Sequence, residues 1–311
     1  CKVFGIDPNS LEGNGTILNP SFPVNMSSKA FIKLKIHVSN EGRISLGLKS
    51  VNVLSYINQD PVLLGYFIDA VKKAGGKIKG KPRLRNALEI KADRVLARAL
   101  VASGLPFGKR TRTNPSLDNS IEKNRDLFKY HIQATLTEEG GSSLAIDHRR
   151  VRFGLAWGRA VDITDKLTKE HINEIRELTK ELGKQKISIG YVTNVELLRT
   201  IGKNLPKIFD REIMSLSAAH VGIHWPSGHP ANIHLSKKGR ITVMWGIHLT
   251  RPKLLDIIHD EYGMLPGTWK ANRFENLYKA YKEFRGRRLT DEEIQKIRKV
   301  IEENPPQISI E

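Results

Sequence analysis

Two glutamates, each followed directly by glycine, offer the clearest start for chemistry: Glu41-Gly42 and Glu139-Gly140. A glycine at the end of a helix can take the backbone conformation that turns the chain into a strand, leaving the preceding carboxylate at the mouth of the turn. If two such helices lie side by side, their terminal carboxylates meet. Two negative groups held together are costly without a cation between them, and a hard, oxygen-seeking ion such as Mg2+ (or Mn2+) meets that need. Such an ion polarises a phosphate, activates a water and offsets the charge of the leaving oxygen. The expected chemistry is metal-dependent phosphodiester hydrolysis, with Glu41 and Glu139 as both catalytic acids and metal ligands.

The charge balance points to the same class of substrate. Lys and Arg number 51 against 33 Asp and Glu, a net charge of +18 that concentrates polyanions around the chain. The basic residues are scattered over expected strands, loops and helices rather than gathered on one amphipathic helix, which argues against a membrane surface. No apolar run approaches the length of a bilayer span, and no signal-peptide pattern opens the chain, so a cytoplasmic, nucleoid-associated place is expected. The single cysteine, Cys1, excludes a disulfide framework and a Cys-based zinc site; standing where Met would, it suits a fragment or a processed product.

The elements that must position the two acids come in a repeated order. Residues 1–27, rich in Pro, Gly, Asn and Ser, form an irregular lead-in. Phe31–Val38 alternates apolar and polar residues as a half-buried strand would. Its apolar residues also cover both faces of a helix, which the pairing of the two Glu-Gly sequences requires. Two strands are expected in 43–57, a helix from Asp60-Pro61 to Gly75-Gly76, strands at 77–84 and 87–91, and a helix over 92–103. In the second half, 126–136 is helical, 142–146 and 150–163 are strands, and 166–182 and 195–208 are helices without counterpart in the first half. A hairpin turns around Lys238-Gly239, a helix covers 253–262, and two charged helices, about 273–285 and 290–303, close the chain. The best-matched segments are KAFIKLKIHVSNEGRISL at 29–46 and KYHIQATLTEEGGSSL at 129–144, which mark an internal duplication. The boundaries that follow are 28–113 for the first repeat, 114–275 for the second with a helical insertion near 166–220, and 276–311 for a helical tail.

In this order and these motifs the chain resembles the LAGLIDADG homing endonucleases, particularly archaeal single-chain members with two repeats. The motif falls on Leu34–Gly42 and Ile132–Gly140. Ala134 suits the small residue used for tight helix contact, whereas Ile36 departs from it; Ser39 and Thr137 replace a usual acid. Asn58-Gln-Asp-Pro-Val-Leu-Leu resembles the family's strand-to-helix junction, Gly104-Leu-Pro-Phe-Gly-Lys-Arg its repeat end, and Asn114-Pro-Ser-Leu its linker. The resemblance implies an α+β fold of two pseudo-symmetric αββαββα repeats forming a DNA-binding saddle, plus C-terminal helices. The protein would then be a monomer with an internal pseudo-two-fold. It also implies site-specific cleavage of double-stranded DNA. Base and phosphate contacts would come from Arg43, Lys49, Lys77, Lys79, Lys81, Arg83 and Arg85 in the first repeat. In the second they would come from Arg149, Arg150, Arg152, Arg159, Lys237, Lys238 and Arg240. Lys91 matches a position where lysine stabilises transition-state charge, with Thr250 beside Arg251 as its counterpart, and Gln59 one that positions water.

Two alternatives stay open. The departures at Ile36 and Thr250 suit a catalytically degenerate relative, a DNA-binding regulator or a maturase whose partner is intron RNA, and charge alone suits a ribosome-linked basic protein. His220, His224, His229 and His234 gather in a short span but match no common metal spacing, and a rigid loop is expected there.

Overall fold

The computed structural model describes strands at 17–18, 21–25, 29–38 and 44–49, then residues 54–84, 88–92, 96 and 110–306. The chain divides into two compact units, 1–107 with 310–311, and 108–309. Both are α+β, built on antiparallel sheets. Among the described residues no helix is long and apolar enough to cross a membrane.

In the first unit, strands β1 (Ile17–Leu18), β2 (Ser21–Asn25), β3 (Lys29–Val38) and β4 (Ile44–Lys49) form one sheet. β3 pairs with β2 from Lys29 to Lys33 and with β4 from Lys33 to Val38. The helix expected over the first Glu-Gly motif is therefore a strand as far as Val38. The physical reason is its period of two: Ile32, Leu34, Ile36 and Val38 alternate with Lys33, Lys35 and His37, and three of these four apolar residues are β-branched. Glu41, Gly42 and Arg43 lie outside the described residues. The lead-in expected to be irregular supplies β1 and β2, the second held by its pairing with β3. From β5 to β7 the unit follows expectation. β5 (Leu54–Asn58), β6 (Ile78–Leu84) and β7 (Leu88–Ala92) form a second sheet, with β7 between the other two. Helix α1 (Pro61–Lys73) begins where Asp60 Oδ1 accepts the Val62 N–H at 2.9 Å. Its Val71 packs with Ala92 and Leu96, and Phe67 stacks on Tyr56 at 5.0 Å. Of the helix expected over 92–103, only Ala92, which ends β7, and Leu96 are described.

The second unit holds one five-stranded sheet in the order β10 (Lys186–Ser188), β11 (His229–Leu235), β12 (Ile241–Leu249), β9 (Arg150–Asp162), β8 (Gly141–Asp147). Its helices are α2 (Arg110–Thr113), α3 (Asn119–Lys123), α4 (Arg125–Glu139), α5 (Lys169–Glu181), α6 (Val195–Gly202), α7 (Lys207–Ala219), α8 (Pro252–Ile257), α9 (Trp269–Phe284) and α10 (Asp291–Glu303). The order α4-β8-β9, helices, β11-β12-α8 is the expected αββαββα with extra helices inserted. The second unit thus follows the order expected of a repeat, whereas the first opens on a strand in place of the expected helix. Pro206 divides the insertion's later part, so α6 stops at Gly202 and α7 becomes a separate helix that was not expected. The C-terminal pair is as expected, with Thr290 and Glu293 forming a reciprocal capping box.

Strand parity divides this sheet into a core face and an open face. Val151, Phe153, Leu155, Trp157 and Val161 of β9, and Ile241, Val243, Trp245, Ile247 and Leu249 of β12, are buried. They belong to one core with Ile132 and Leu136 of α4, Phe209 and Leu216 of α7, and Phe274 and Tyr278 of α9. Phe153 sits among the rings of Phe274, Tyr278 and Tyr281 at 5.6 to 5.9 Å.

The turn after α4 needs glycine for a different reason from the one expected. Gly140 has φ −77° and ψ 156°, ordinary extended backbone. A Cβ there would meet the Leu136 carbonyl oxygen at 2.2 Å, so closeness of the backbone, and not a left-handed conformation, excludes a side chain. Gly140→Ala is expected to cost about 2 kcal/mol, because the obstruction is backbone and cannot rotate aside; chemical unfolding of the two proteins measures it. An unchanged midpoint would show that the turn relaxes freely.

Candidate nucleic-acid interface and acid site

The C-terminal turn of α4 is fixed from several sides before its last residue is considered. Thr137, fully buried, donates to the Gln133 carbonyl at 2.7 Å and accepts the Leu265 N–H at 2.8 Å. Lys270, at the start of α9, donates to the Glu138 carbonyl at 2.9 Å. Burial lowers the Lys270 ammonium's pKa, against a smaller opposing pull from Glu138. Arg273 of α9 donates to Ser142 Oγ at 2.9 Å and to the Ser142 carbonyl, bracing the first turn of β8.

Glu139 ends this clamped turn. Its carboxylate accepts from Arg159 Nη1, and the same guanidinium donates through Nη2 to Glu212 Oε1 at 2.7 Å and to Thr135 Oγ1 at 2.9 Å. Glu212 Oε1 also meets His131 Nε2 at 2.8 Å. Arg159 and Glu212 are buried, whereas about a third of the Glu139 side chain is exposed. Burial pushes the Glu212 carboxyl up, yet the hydrogen bond from His131 and the charges of Arg159 and His131 outweigh that and hold it below its ordinary value. Glu212 Oε2 and Arg159 Nε are buried without a hydrogen-bond partner among the described residues, so the cluster is held more by charge than by complete hydrogen bonding.

β9 outruns its neighbour here. β8 pairs with it only as far as Gly141↔Ala156, and the stretch Trp157–Asp162 continues alone on that side. A cavity of about 390 Å3 opens at this step, bordered by Glu139, Gly158, Arg159, Ala160 and Met244.

The open face of the sheet carries the other parity. Gly154, Ala156, Gly158 and Ala160 form a nearly side-chain-free floor along β9. A Cβ on Gly158 would meet the Trp245 carbonyl oxygen at 2.7 Å. Register sets rows of polar and basic residues across β10, β11 and β12: Lys186 beside His234 beside Thr242, and Ser188 beside Asn232 beside Met244. His248 stands opposite Ala156, and Arg152 opposite Ala145.

The residues expected at the site are not all on this face. Arg150 and Arg152 are exposed there, with Arg152 Nε 2.7 Å from Asp147. Lys237 and Lys238 are exposed in the β11–β12 turn. Arg159, expected to touch DNA, is instead a buried cation of the core face, because position 159 shares the apolar parity of Trp157 and Val161. Arg149 faces the tail, donating to the Leu289 carbonyl and to Asp291. Arg240 is paired with Asp162 at 2.9 Å and Asp165 at 3.2 Å. In the first unit, Lys77, Lys79 and Gln59 are exposed, and Lys91 lies between Ser55 and Lys79 in register with its Nζ 3.7 Å from Glu89. Lys49, Lys81 and Arg83 are strand residues described by backbone alone, and Arg85 and Glu41 fall outside the described residues. Thr250 and Arg251 are exposed at the end of β12. Among the described residues no three His, Cys, Asp or Glu converge on a metal-sized site, and His220 is engaged by Tyr262 at 3.1 Å.

Glu212 was not anticipated. Its signal is a carboxylate on the apolar stripe of α7, at helical spacing between Phe209 and Leu216. Arg159 carried the matching signal, a lone cation on the apolar parity of a strand.

No family model matches the chain, and no curated protein matches it. A solved structure, the LAGLIDADG meganuclease I-AabMI bound to uncleaved DNA, is similar over 86% of this chain and 93% of that one, at 14% identity and a TM-score of 0.36. A likeness of that degree carries no function to this chain.

The cluster makes a stability prediction. Removing the Glu212 charge leaves Arg159 buried against one carboxylate, and Glu212→Gln is expected to cost about 3 kcal/mol at neutral pH. Since the folded carboxyl sits below its ordinary 4.5, its contribution is full above that pH and fades as acid titrates it. Urea melts from about pH 3 to 7 should show the steep acid loss in the wild type and a flatter dependence in the variant; parallel curves would contradict the assignment.

Proposed function

We propose that this protein binds double-stranded DNA across the open face of the β8–β12 sheet, with Glu139 as the candidate acid for phosphodiester hydrolysis. The observation that carries the reading is the open face itself. A flat Gly and Ala floor admits a duplex closely, while Lys186, Asn232, His234, Thr242 and His248 supply donors and acceptors of the kind that base edges and phosphates take. The net charge of +18 favours the same partner. The family resemblance implies DNA on a sheet of this kind, and Glu139 borders the same cavity as Gly158 and Ala160 of that floor.

A second reading, binding without cutting, is favoured by one specific contact. The Glu139 carboxylate is already neutralised by Arg159, and no second carboxylate joins it to form a metal site among the described residues. Glu41, expected as the second metal ligand, lies outside the described residues. Arg159 would itself place positive charge beside a phosphate at Glu139.

Fluorescence anisotropy with mixed-sequence duplex at about 150 mM salt, followed by a cleavage assay on a randomised library with and without Mg2+, tests both. Affinity tighter than about 1 µM is expected, the upper end of non-specific binding. Replacing His234 and His248 by Glu should weaken it at least tenfold; an unchanged affinity would overturn the sheet as the DNA face. Glu139→Gln should retain binding and abolish any Mg2+-dependent cutting. A wild type that binds but never cuts leaves the second reading.

A further inference from the structure

The inserted segment carries a basic cleft that lies off the open face. Helix α5 ends at Glu181, and Gly183, two residues on with a φ of 59°, turns the chain back toward β10. The β11–β12 turn comes to meet it, held where the Leu235 N–H donates to the Gln185 carbonyl at 2.9 Å. Between the two turns is a cleft of about 340 Å3 to which Lys180, Lys184 and Lys237 each contribute, with Ser236 at its wall. All three lysines are exposed. Arg176, one turn earlier on α5, comes near the same turn, its Nη2 3.8 Å from where a Cβ on Gly239 would be.

What marks this cleft is three lysines gathered at one place. Several cations elsewhere in the unit are held by carboxylates: Arg199 by Glu196, Arg211 by Glu122, Arg240 by Asp162 and Asp165, Arg285 by Asp256, Arg287 by Glu293 and Lys296 by Glu283. None of Lys180, Lys184 and Lys237 is ion-paired with a described residue. Three like charges drawn into one cleft repel one another, and the arrangement is relieved by an anion of high charge density. The cleft is also continuous with the open face, since Lys186 follows Lys184 by two residues and pairs in register with His234.

We infer that this cleft is a phosphate-backbone contact, through which the inserted helix α5 grips duplex DNA beyond the sheet and lengthens its footprint. The inference rests on the DNA reading and adds to it a second, sequence-independent contact. Lysines at this cleft neutralise phosphates without reading bases, so they add affinity and register but no specificity.

The test compares the full chain with Lys180→Gln/Lys184→Gln/Lys237→Gln by anisotropy on a mixed-sequence duplex over a range of NaCl concentrations. Each phosphate contact contributes about 0.9 to the slope of log affinity against log salt. The triple variant is expected to lose about 2 to 3 of that slope, and a footprint on the duplex should shorten at one end. Thermal melts confirm that the surface changes leave the fold intact, and the single Lys184→Glu provides an independent variant, expected to lose about one unit or more. A wild type that binds DNA with a slope unchanged in both variants overturns the cleft and leaves the sheet reading standing. A wild type with no salt-dependent DNA binding overturns both. Loss of slope on an RNA duplex but not on DNA overturns the choice of partner.

Discussion

A buried guanidinium must be paired to stay where it is, and Arg159 meets two carboxylates on different helices. Glu139 comes from the end of α4 and Glu212 from the middle of α7. Taking a charge this far from water is costly unless it is paired and hydrogen-bonded, and Glu212 is itself held in place by its contact with His131. The consequence is that the position of Glu139 depends on α7, an element of the insertion. α7 is in turn located by the linker that precedes α4: Asn114 Oδ1 accepts the Lys207 N–H at 3.0 Å, and Glu122 takes Arg211. The acid at the edge of the open face is thus set by contacts that run from residue 114 through 212 and back to 139.

The same sheet serves two solvents because its central strands alternate strictly. Along β9 and β12 one parity is bulky and apolar and the other is small or polar, so the core forms on one side while the other stays flat. Arg159 breaks the rule on the core side, and it does so where β8 has ended and β9 is no longer covered on that edge. There the end of α4 and the flank of α7 replace a neighbouring strand, which is why a charge can be accommodated at that position and nowhere earlier along β9.

Much of this was legible from pattern. The parity of β9 and β12, the Asp60-Pro61 helix start, the hairpin at Gly239 and the Thr290 cap follow from local chemistry that the tertiary structure does not override. The first motif differs because Ile32, Leu34, Ile36 and Val38 state a strand by period, and local period outweighs the helix that a pairing of the two Glu-Gly sequences would require. The network around Arg159 escaped notice because it joins residues 81 and 53 positions apart. Its two charged members were visible singly as misfits on apolar faces, but nothing in a linear pattern says that two misfits meet.

The pairing of charges also separates residues that hold the protein together from those left to act outward. Arg149, Arg159, Arg240, Arg273 and Arg285 fasten strands, turns and helices to one another, so a count of basic residues overstates what is offered to a polyanion. Among the residues left outward-facing on the open face and at the α5 turn are Lys180, Lys184, Lys186, Lys237, His234 and His248. The division has a chemical basis. Arginine's planar fork holds carboxylates and carbonyls in fixed geometry, whereas lysine's compact charge on a flexible stem suits a partner whose position is not set in advance. Glu139 stands at the boundary between the two populations: its carboxylate is partly open to solvent, yet it belongs to the fastening set through Arg159. How free that carboxylate is to act outward is therefore set by how strongly Glu212 holds Arg159.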